Sequence, residues 1–524
     1  MKLFSMRADI LVNMIGMAII MILTFFATPY YLKYLGSEAF GLIGFFYLFS
    51  MSISIFDFGI SPFLQREIAK STDTNHLNTN MNMNMNMNMN MNMNNIIQIV
   101  TVYFILILLF ANILSIPLSS FIANIWLTSD AWDLLSIAEV KKCIRLIFVV
   151  SSLLMIVNLF KCGLTGYQLH RWLNIALIGT SLLRYVGSII LIGSFNGSIV
   201  DFFIYQILIA LIEVITLSVK FYSQSLTNLL SFDGLNTELI KKIITETSKI
   251  STISILTILT YQLDKILLSK ALPLQEYGFF SLIVMICSGL IVISVPIKRA
   301  IQPRISILFV SKNINDSIAL YRKASHLITI IIGAAVIIIS MYSVPIILFW
   351  TNDLNASLWV ADRLFLFVIG AGLLTIQSVL FAFQEARGDL TLQIKLNFIF
   401  LIIQIPLMLF CMLYSIIVFK APVIGIGLAW LGIRIISFTI STFIIHKTYG
   451  VNLNKLWFLK DFLPIIFSQV VVAFIIYTFM SNQVILSTSN PILLVTIAGF
   501  ILILSGIFSS HYALNFIKKN FSKR

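Results

Sequence analysis

Seven charged residues set inside otherwise apolar stretches are the ones with chemistry to offer in this 524-residue chain: Arg145, Arg184, Lys265 and Arg434, with Asp57, Glu213 and Asp264. A charge at membrane depth costs a few kcal/mol on insertion scales, so it must face a neighbouring helix or a wet cavity. Residues three or four apart share one face of a helix, and several of these charges have polar company at that spacing. Ser50, Ser54, Asp57 and Ser61 form one stripe, and Thr180, Arg184 and Ser188 a second. Gln206, Glu213, Thr216 and Lys220 form a third, Ser254, Thr257, Tyr261 and Asp264 a fourth, and Arg434, Ser437 and Ser441 a fifth. Ser and Thr alone are common fillers of helix interfaces. Arg184 and Arg434 fall near mid-depth, beyond easy reach of the surface, and point to a solvated cavity. Asp264 and Lys265 are adjacent, so their side chains leave a helix about 100° apart and each is expected to need its own partner.

The mixed set has a slight cationic excess, which suits an anionic head group. Arg184, Arg434, Lys265 and Arg145 are therefore the candidate substrate-binding residues. Asp57, Asp264 and Glu213 are candidate ion-coupling acids, because burial favours a bound proton and a nearby cation opposes it, so occupancy can follow the state of the cavity. No nucleophile stands beside a base, no glycine loop could cradle a phosphate, and no ligand cluster has metal spacing. No catalytic or metal residue is assigned, and the chain does not read as an enzyme. Cys143, Cys162, Cys287 and Cys411 lie in or beside apolar stretches without a CxxC pair, which argues against disulfides.

The elements that must hold these charges are fourteen apolar stretches, at 10–32, 40–61, 96–118, 143–160, 173–193, 199–221, 250–270, 278–297, 326–350, 363–385, 394–418, 422–446, 461–480 and 491–511. About 20 helical residues cross the roughly 30 Å hydrocarbon core, and only helices satisfy their own backbone there. An all-α membrane protein is expected, in keeping with 59% hydrophobic and 11% charged residues. The net charge of +14 is not a nucleic-acid signature, since Lys and Arg recur in alternate links instead of forming one basic module. With the amino terminus inside, 25 of the 35 Lys and Arg residues fall on the cytoplasmic side and 6 on the other. That bias predicts both termini in the cytoplasm and an even number of crossings. The first span follows Lys2 and Arg7 but has no small-residue cleavage site before Pro29, and is read as a retained helix.

YLGSEAFGLIGFF (residues 34–46) recurs loosely as ALPLQEYGFFSL (271–282), an offset of 237 residues, and a basic, proline-containing segment follows each copy by one span. A six-span repeat keeps its orientation. The expected organisation is a six-helix bundle over 1–240, a second over 241–446, and two further helices with a basic tail over 447–524. The tract NMNMNMNMNMNMNMNN (80–95) is low-complexity and is expected to be an unstructured cytoplasmic loop, spanning 78–95.

The YLGSEAFGLIGFF turn, FDFGISPFLQREIAK (56–70), GYQLHRWLN (166–174), YQLDKILLSK (261–270) and PIKRAIQPRIS (296–306) together resemble the polysaccharide and O-antigen flippases of the multidrug/oligosaccharidyl-lipid/polysaccharide exporter superfamily. The resemblance covers nearly the whole chain and is strongest over 7–70 and 250–310. It implies movement of an undecaprenyl-diphosphate-linked oligosaccharide from the cytoplasmic to the periplasmic leaflet of a bacterial inner membrane, by alternating access of two bundles around a cationic cavity. It also implies a proton or sodium gradient as the driving force, with no cofactor. Asp57, Arg184, Asp264, Lys265 and Arg434 match its charged cavity positions. The implied partners are the lipid-linked substrate, membrane lipids, a polysaccharide polymerase and a chain-length regulator. A cation-coupled multidrug exporter of the same superfamily would favour an acidic cavity. A membrane polymerase or ligase would display a substantial external loop, whereas the longest external link is 119–142.

Overall fold

The computed structural model of the chain describes residues 2–77, 83–127, 135–225, 237–388, 391–449, 453–479 and 491–509. Every regular element among them is helical. Contacts divide the chain into two compact units, Met1–Gly278 and Phe279–Arg524. The first contains α1 (Lys2–Leu35), α2 (Ser37–Ile53), α3 (Ile60–Leu77), α4 (Met83–Phe121), α5 (Ile137–Gly166), α6 (His170–Leu182), α7 (Ser188–Ser194), α8 (Ile199–Ser225), α9 (Thr237–Ala271) and the start of α10 (Leu274–Val310). The second contains the rest of α10, α11 (Ile314–Met341), α12 (Ser343–Thr351), α13 (Leu354–Arg387), α14 (Thr391–Phe419), α15 (Pro422–Tyr449), α16 (Leu453–Leu456), α17 (Leu463–Phe479) and α18 (Pro491–Phe508).

Thirteen spans among the described residues are long and apolar enough to cross a membrane. The expected stretch outside that set is 250–270. It lies within the continuous helix α9, several of whose side chains fall outside the described residues. The Met-Asn tract also differs from expectation, because α4 begins at Met83 inside it. Methionine is a good helix former, and a helix already nucleated in the apolar part extends outward cheaply. Residues 78–82 of the expected loop and the basic tail beyond 509 lie outside the described residues.

The second expected span is two helices. After Ile53 the chain makes a 3₁₀ turn over Ser54–Asp57, and Phe58 and Gly59 take left-handed conformations, with φ of 44° and 71°. Asp57 then accepts the Ser61 N–H at 3.0 Å and the Ser61 hydroxyl at 2.6 Å. The carboxylate thus serves the first turn of α3, whose Pro62 needs no hydrogen-bond acceptor there. The stripe Ser50, Ser54, Asp57, Ser61 therefore does not lie on one helix face. Two outside hydroxyls hold the break: Tyr103 of α4 donates to the Phe56 carbonyl at 2.8 Å, and Ser251 of α9 donates to that of Phe58.

The repeat seen in the sequence has a physical counterpart inside the first unit. Its offset carries Gly41 of α2 onto Gly278 of α10, and these two glycines meet. A Cβ on Gly41 would lie 2.0 Å from the Leu274 carbonyl oxygen, and one on Gly278 would lie 2.8 Å from that of Ser37 and 3.0 Å from the Gly41 nitrogen. Because backbone atoms cannot swing aside, Gly41→Ala should force the helices apart and destabilise the first unit by about 1–3 kcal/mol, as overpacking does. Thermal unfolding in detergent measures this, and an unchanged midpoint would refute the close packing.

Each unit has its own core. In the first, Phe63, Phe104, Phe160 and Phe221 of α3, α4, α5 and α8 are buried together. In the second, Tyr342, Ala473, Ala498 and Leu502 knit α17 and α18 onto the end of α11. Polar anchors reinforce that attachment: Gln469 donates to the carbonyls of Ile330 at 2.9 Å and Leu502 at 3.3 Å. At the start of the same helical arm Asp461, fully buried, takes two hydrogen bonds from Arg322 at 2.5 and 3.0 Å. Beside them Trp457 donates to the Ser325 hydroxyl at 2.8 Å, and Tyr321 bonds the His446 ring at 2.8 Å. Exposed Phe26, Ile113, Phe410 and Phe474 belong to the lipid-facing surface, where apolar exposure is the norm.

Candidate substrate and ion-coupling site

Arg184 lies on a π turn, Leu183–Gly187, between α6 and α7. Such a turn bonds i to i+5, and single π turns inside α-helices often mark functional positions. Tyr205 of α8 donates its hydroxyl to the Leu183 carbonyl at 2.8 Å. It fits because position 187 is glycine, where a Cβ would lie 1.9 Å from that hydroxyl oxygen. The extra residue in the turn also corrects the expected Thr180, Arg184, Ser188 stripe. Ser188 faces α1 and bonds the Tyr31 hydroxyl at 2.6 Å, and Thr180 donates to the Leu177 carbonyl at 3.3 Å.

Arg184 itself points at α8. Its Nη2 donates to Glu213 Oε2 at 2.7 Å and its Nη1 to Gln206 Oε1 at 3.1 Å. Gln206 and Glu213, seven residues apart, do share a face as expected, whereas Lys220 turns away to sit 5.8 Å from the Trp172 ring centre. The second Glu213 oxygen, Oε1, is 3.6 Å from Lys161 Nζ of α5. Sequence reasoning assigned Lys161 to a cytoplasmic link and missed this role. The side chains of Glu213 and Arg184 are 7% and 12% exposed, that of Lys161 36%. Tyr31, Tyr47 and Tyr205 lie within electrostatic reach of the guanidinium.

The other expected site residues have separate surroundings. Asp264 and Lys265 pair with each other, contrary to expectation, at 3.1 Å between Nζ and Oδ1. Helical side chains lean toward the amino terminus, and the long lysine stem follows that direction until Nζ also donates to the Tyr261 carbonyl at 2.5 Å. Arg145 is exposed on α5 and donates from Nε to Ser119 Oγ at 3.1 Å. Asp57 belongs to the helix break already described. In the second unit Arg434, 6% exposed, stacks its guanidinium 4.1 Å from the Trp430 ring centre. Ser437 and Ser441 are buried on the same helix, and Gln377 of α13 donates to the Ser437 carbonyl at 3.0 Å. Trp430 was another silent partner in the sequence. Among the described residues no group of His, Cys, Asp or Glu could hold a metal ion.

A buried arginine, a carboxylate and a second cation form a device for holding an anion: Glu213 is the resident one. The fold that holds these charges is shared with known structures. The chain superposes on the lipid II flippase MurJ in an inward closed conformation with a TM-score of 0.65 at 16% identity, covering 97% of this chain and 100% of that one. It superposes equally on an inward-facing multidrug resistance MATE family transporter of the MOP superfamily, at 0.65 and 14%, covering 83% and 98%. The MATE transporter VcmN of Vibrio cholerae, in a mutant form, gives 0.56 at 15%, covering 86% and 97%. A search of curated proteins finds no significant match. The family profile described as polysaccharide biosynthesis protein matches residues 6–309, more than half of the chain, and the chain belongs to that family.

Proposed function

We propose that the protein is a non-catalytic flippase that moves an undecaprenyl-diphosphate-linked oligosaccharide, an O-antigen or related repeat unit, from the cytoplasmic to the periplasmic leaflet of a bacterial inner membrane. The Arg184–Glu213–Lys161 network carries this reading. A guanidinium held by a buried carboxylate in an apolar helix bundle suits a ligand with a compact negative charge, and a diphosphate is such a group. The sugars and diphosphate cannot cross hydrocarbon unaided, whereas the polyprenyl tail can remain in lipid. Both termini lie in the cytoplasm on this reading, a polymerase and a chain-length regulator act on the product, and an inward proton or sodium gradient drives the cycle. Likeness to the MATE transporters favours a second reading, export of cationic small molecules. The excess of Arg and Lys over acids at depth weighs against it.

One experiment tests the proposal. Purified full-length protein in vesicles should flip a fluorescent undecaprenyl-diphosphate-linked sugar and leave a lipophilic cationic dye unmoved. Dissipating the imposed proton or sodium gradient should slow flipping severalfold. Dye export without lipid flipping would replace the first reading by the second, and rates indifferent to both gradients would remove ion coupling.

A further inference from the structure

Glu213 cannot simply let go of Arg184. Its side chain is 7% exposed, and a buried charge stripped of its partner is strongly unfavourable. Any anion that claims the guanidinium must therefore find somewhere for this carboxylate to go. The structure supplies one destination: Oε1 already lies 3.6 Å from Lys161 Nζ while Oε2 holds Arg184 at 2.7 Å. Lys161 is near the end of α5, its side chain 36% exposed and its stem flexible, so the ammonium can close the remaining gap. Gln206, the other acceptor on Arg184, is neutral and can be displaced without orphaning a charge.

Resting on the reading of Arg184 as the diphosphate site, we infer that Lys161 is a holding partner. It takes Glu213 when an incoming diphosphate takes Arg184, and gives it back on release. The carboxylate is a tethered competitor of the ligand, and Lys161 sets how readily it yields. Lys161 is thus a positioning residue that acts through Glu213 and does not touch the substrate.

A double-mutant cycle reads this directly, using farnesyl diphosphate as probe and calorimetric titration of the detergent-solubilised full-length protein at constant ionic strength. Glu213→Gln removes the competitor and should tighten binding. Lys161→Met should weaken it by about tenfold in the parent, because the bound state then leaves Glu213 without a cation. In the Glu213→Gln background the same Lys161→Met change should alter affinity by less than about threefold, since no carboxylate remains to be held. Lys161→Arg keeps a cation and should stay close to the parent, which separates loss of the holding charge from loss of folding. Equal weakening by Lys161→Met in both backgrounds would make Lys161 a direct ligand and overturn the handover. So would weaker binding in Glu213→Gln, or no effect of Lys161→Met in the parent. If the parent fails to bind the probe and Arg184→Ala changes nothing, the anion site itself falls, and the handover with it.

Discussion

Arg184→Ala should abolish surface polysaccharide in cells while the protein still inserts and accumulates, and Arg184→Lys should restore part of it. Two effects combine. On the proposed function a diphosphate loses the planar donor that can bind phosphate oxygens in pairs, and Glu213 loses its closer cation, keeping only Lys161. Truncating one member of a buried charge pair removes roughly 2–5 kcal/mol, so the flipping rate should fall by about 30-fold or more. Instability could mimic that loss, and a second variant distinguishes the two. Arg184→Ala combined with Glu213→Gln removes the carboxylate left with Lys161 alone, and so should recover thermal stability without recovering transport. Recovery of transport in that double variant would remove Arg184 from substrate binding. Lysine rescues in part because a compact ammonium keeps the charge but cannot reach Gln206 and Glu213 together as the guanidinium does.

Asp461→Ala should lower the thermal midpoint of the protein by on the order of 10 °C, from a loss of roughly 3–5 kcal/mol in the second unit. Asp461 is fully buried and holds Arg322 through two hydrogen bonds. Removing it takes two charged hydrogen bonds from a guanidinium whose side chain is 18% exposed. Replacing both residues by Leu should return most of the loss, since well-packed apolar side chains commonly match or exceed a buried ion pair. Differential scanning fluorimetry in detergent is the measurement. A midpoint within about 2 °C of the parent for Asp461→Ala would show that this pair contributes little to the attachment of α17.

The contrast between these two pairs shows what the sequence made legible. The apolar stretches were plain because hydrophobic length is a summed property of some twenty residues, and thirteen of the fourteen reappear as spans. Gln206 and Glu213 were correctly placed on one face because α8 is a regular helix between them. Positional reasoning failed where the helix was not regular. The π turn at Leu183–Gly187 and the left-handed Phe58 and Gly59 each shift the phase of a polar stripe. The second break did leave a signal, an Asp followed by Gly and then Pro at the opening of the next helix, which is the punctuation of a helix start. Lys161 and Arg322 were counted as topology signals, as most loop cations are. Their acidic partners are distant in sequence, and spacing within one helix says nothing about a contact with another. The Asp264–Lys265 pair was rejected on the angle between adjacent Cβ directions, which neglects how far a four-carbon stem can fold back.

Gly41 and Gly278 hold corresponding places in the two copies of one repeat, and they abut. Elsewhere, duplicated segments are free to drift apart, because a change in one can be absorbed by an unrelated neighbour. At this point the neighbour is the twin. A side chain gained by either copy would press on the backbone of the other, so neither can accommodate its sibling's enlargement. The two positions are therefore sterically coupled, each requiring the other to stay small.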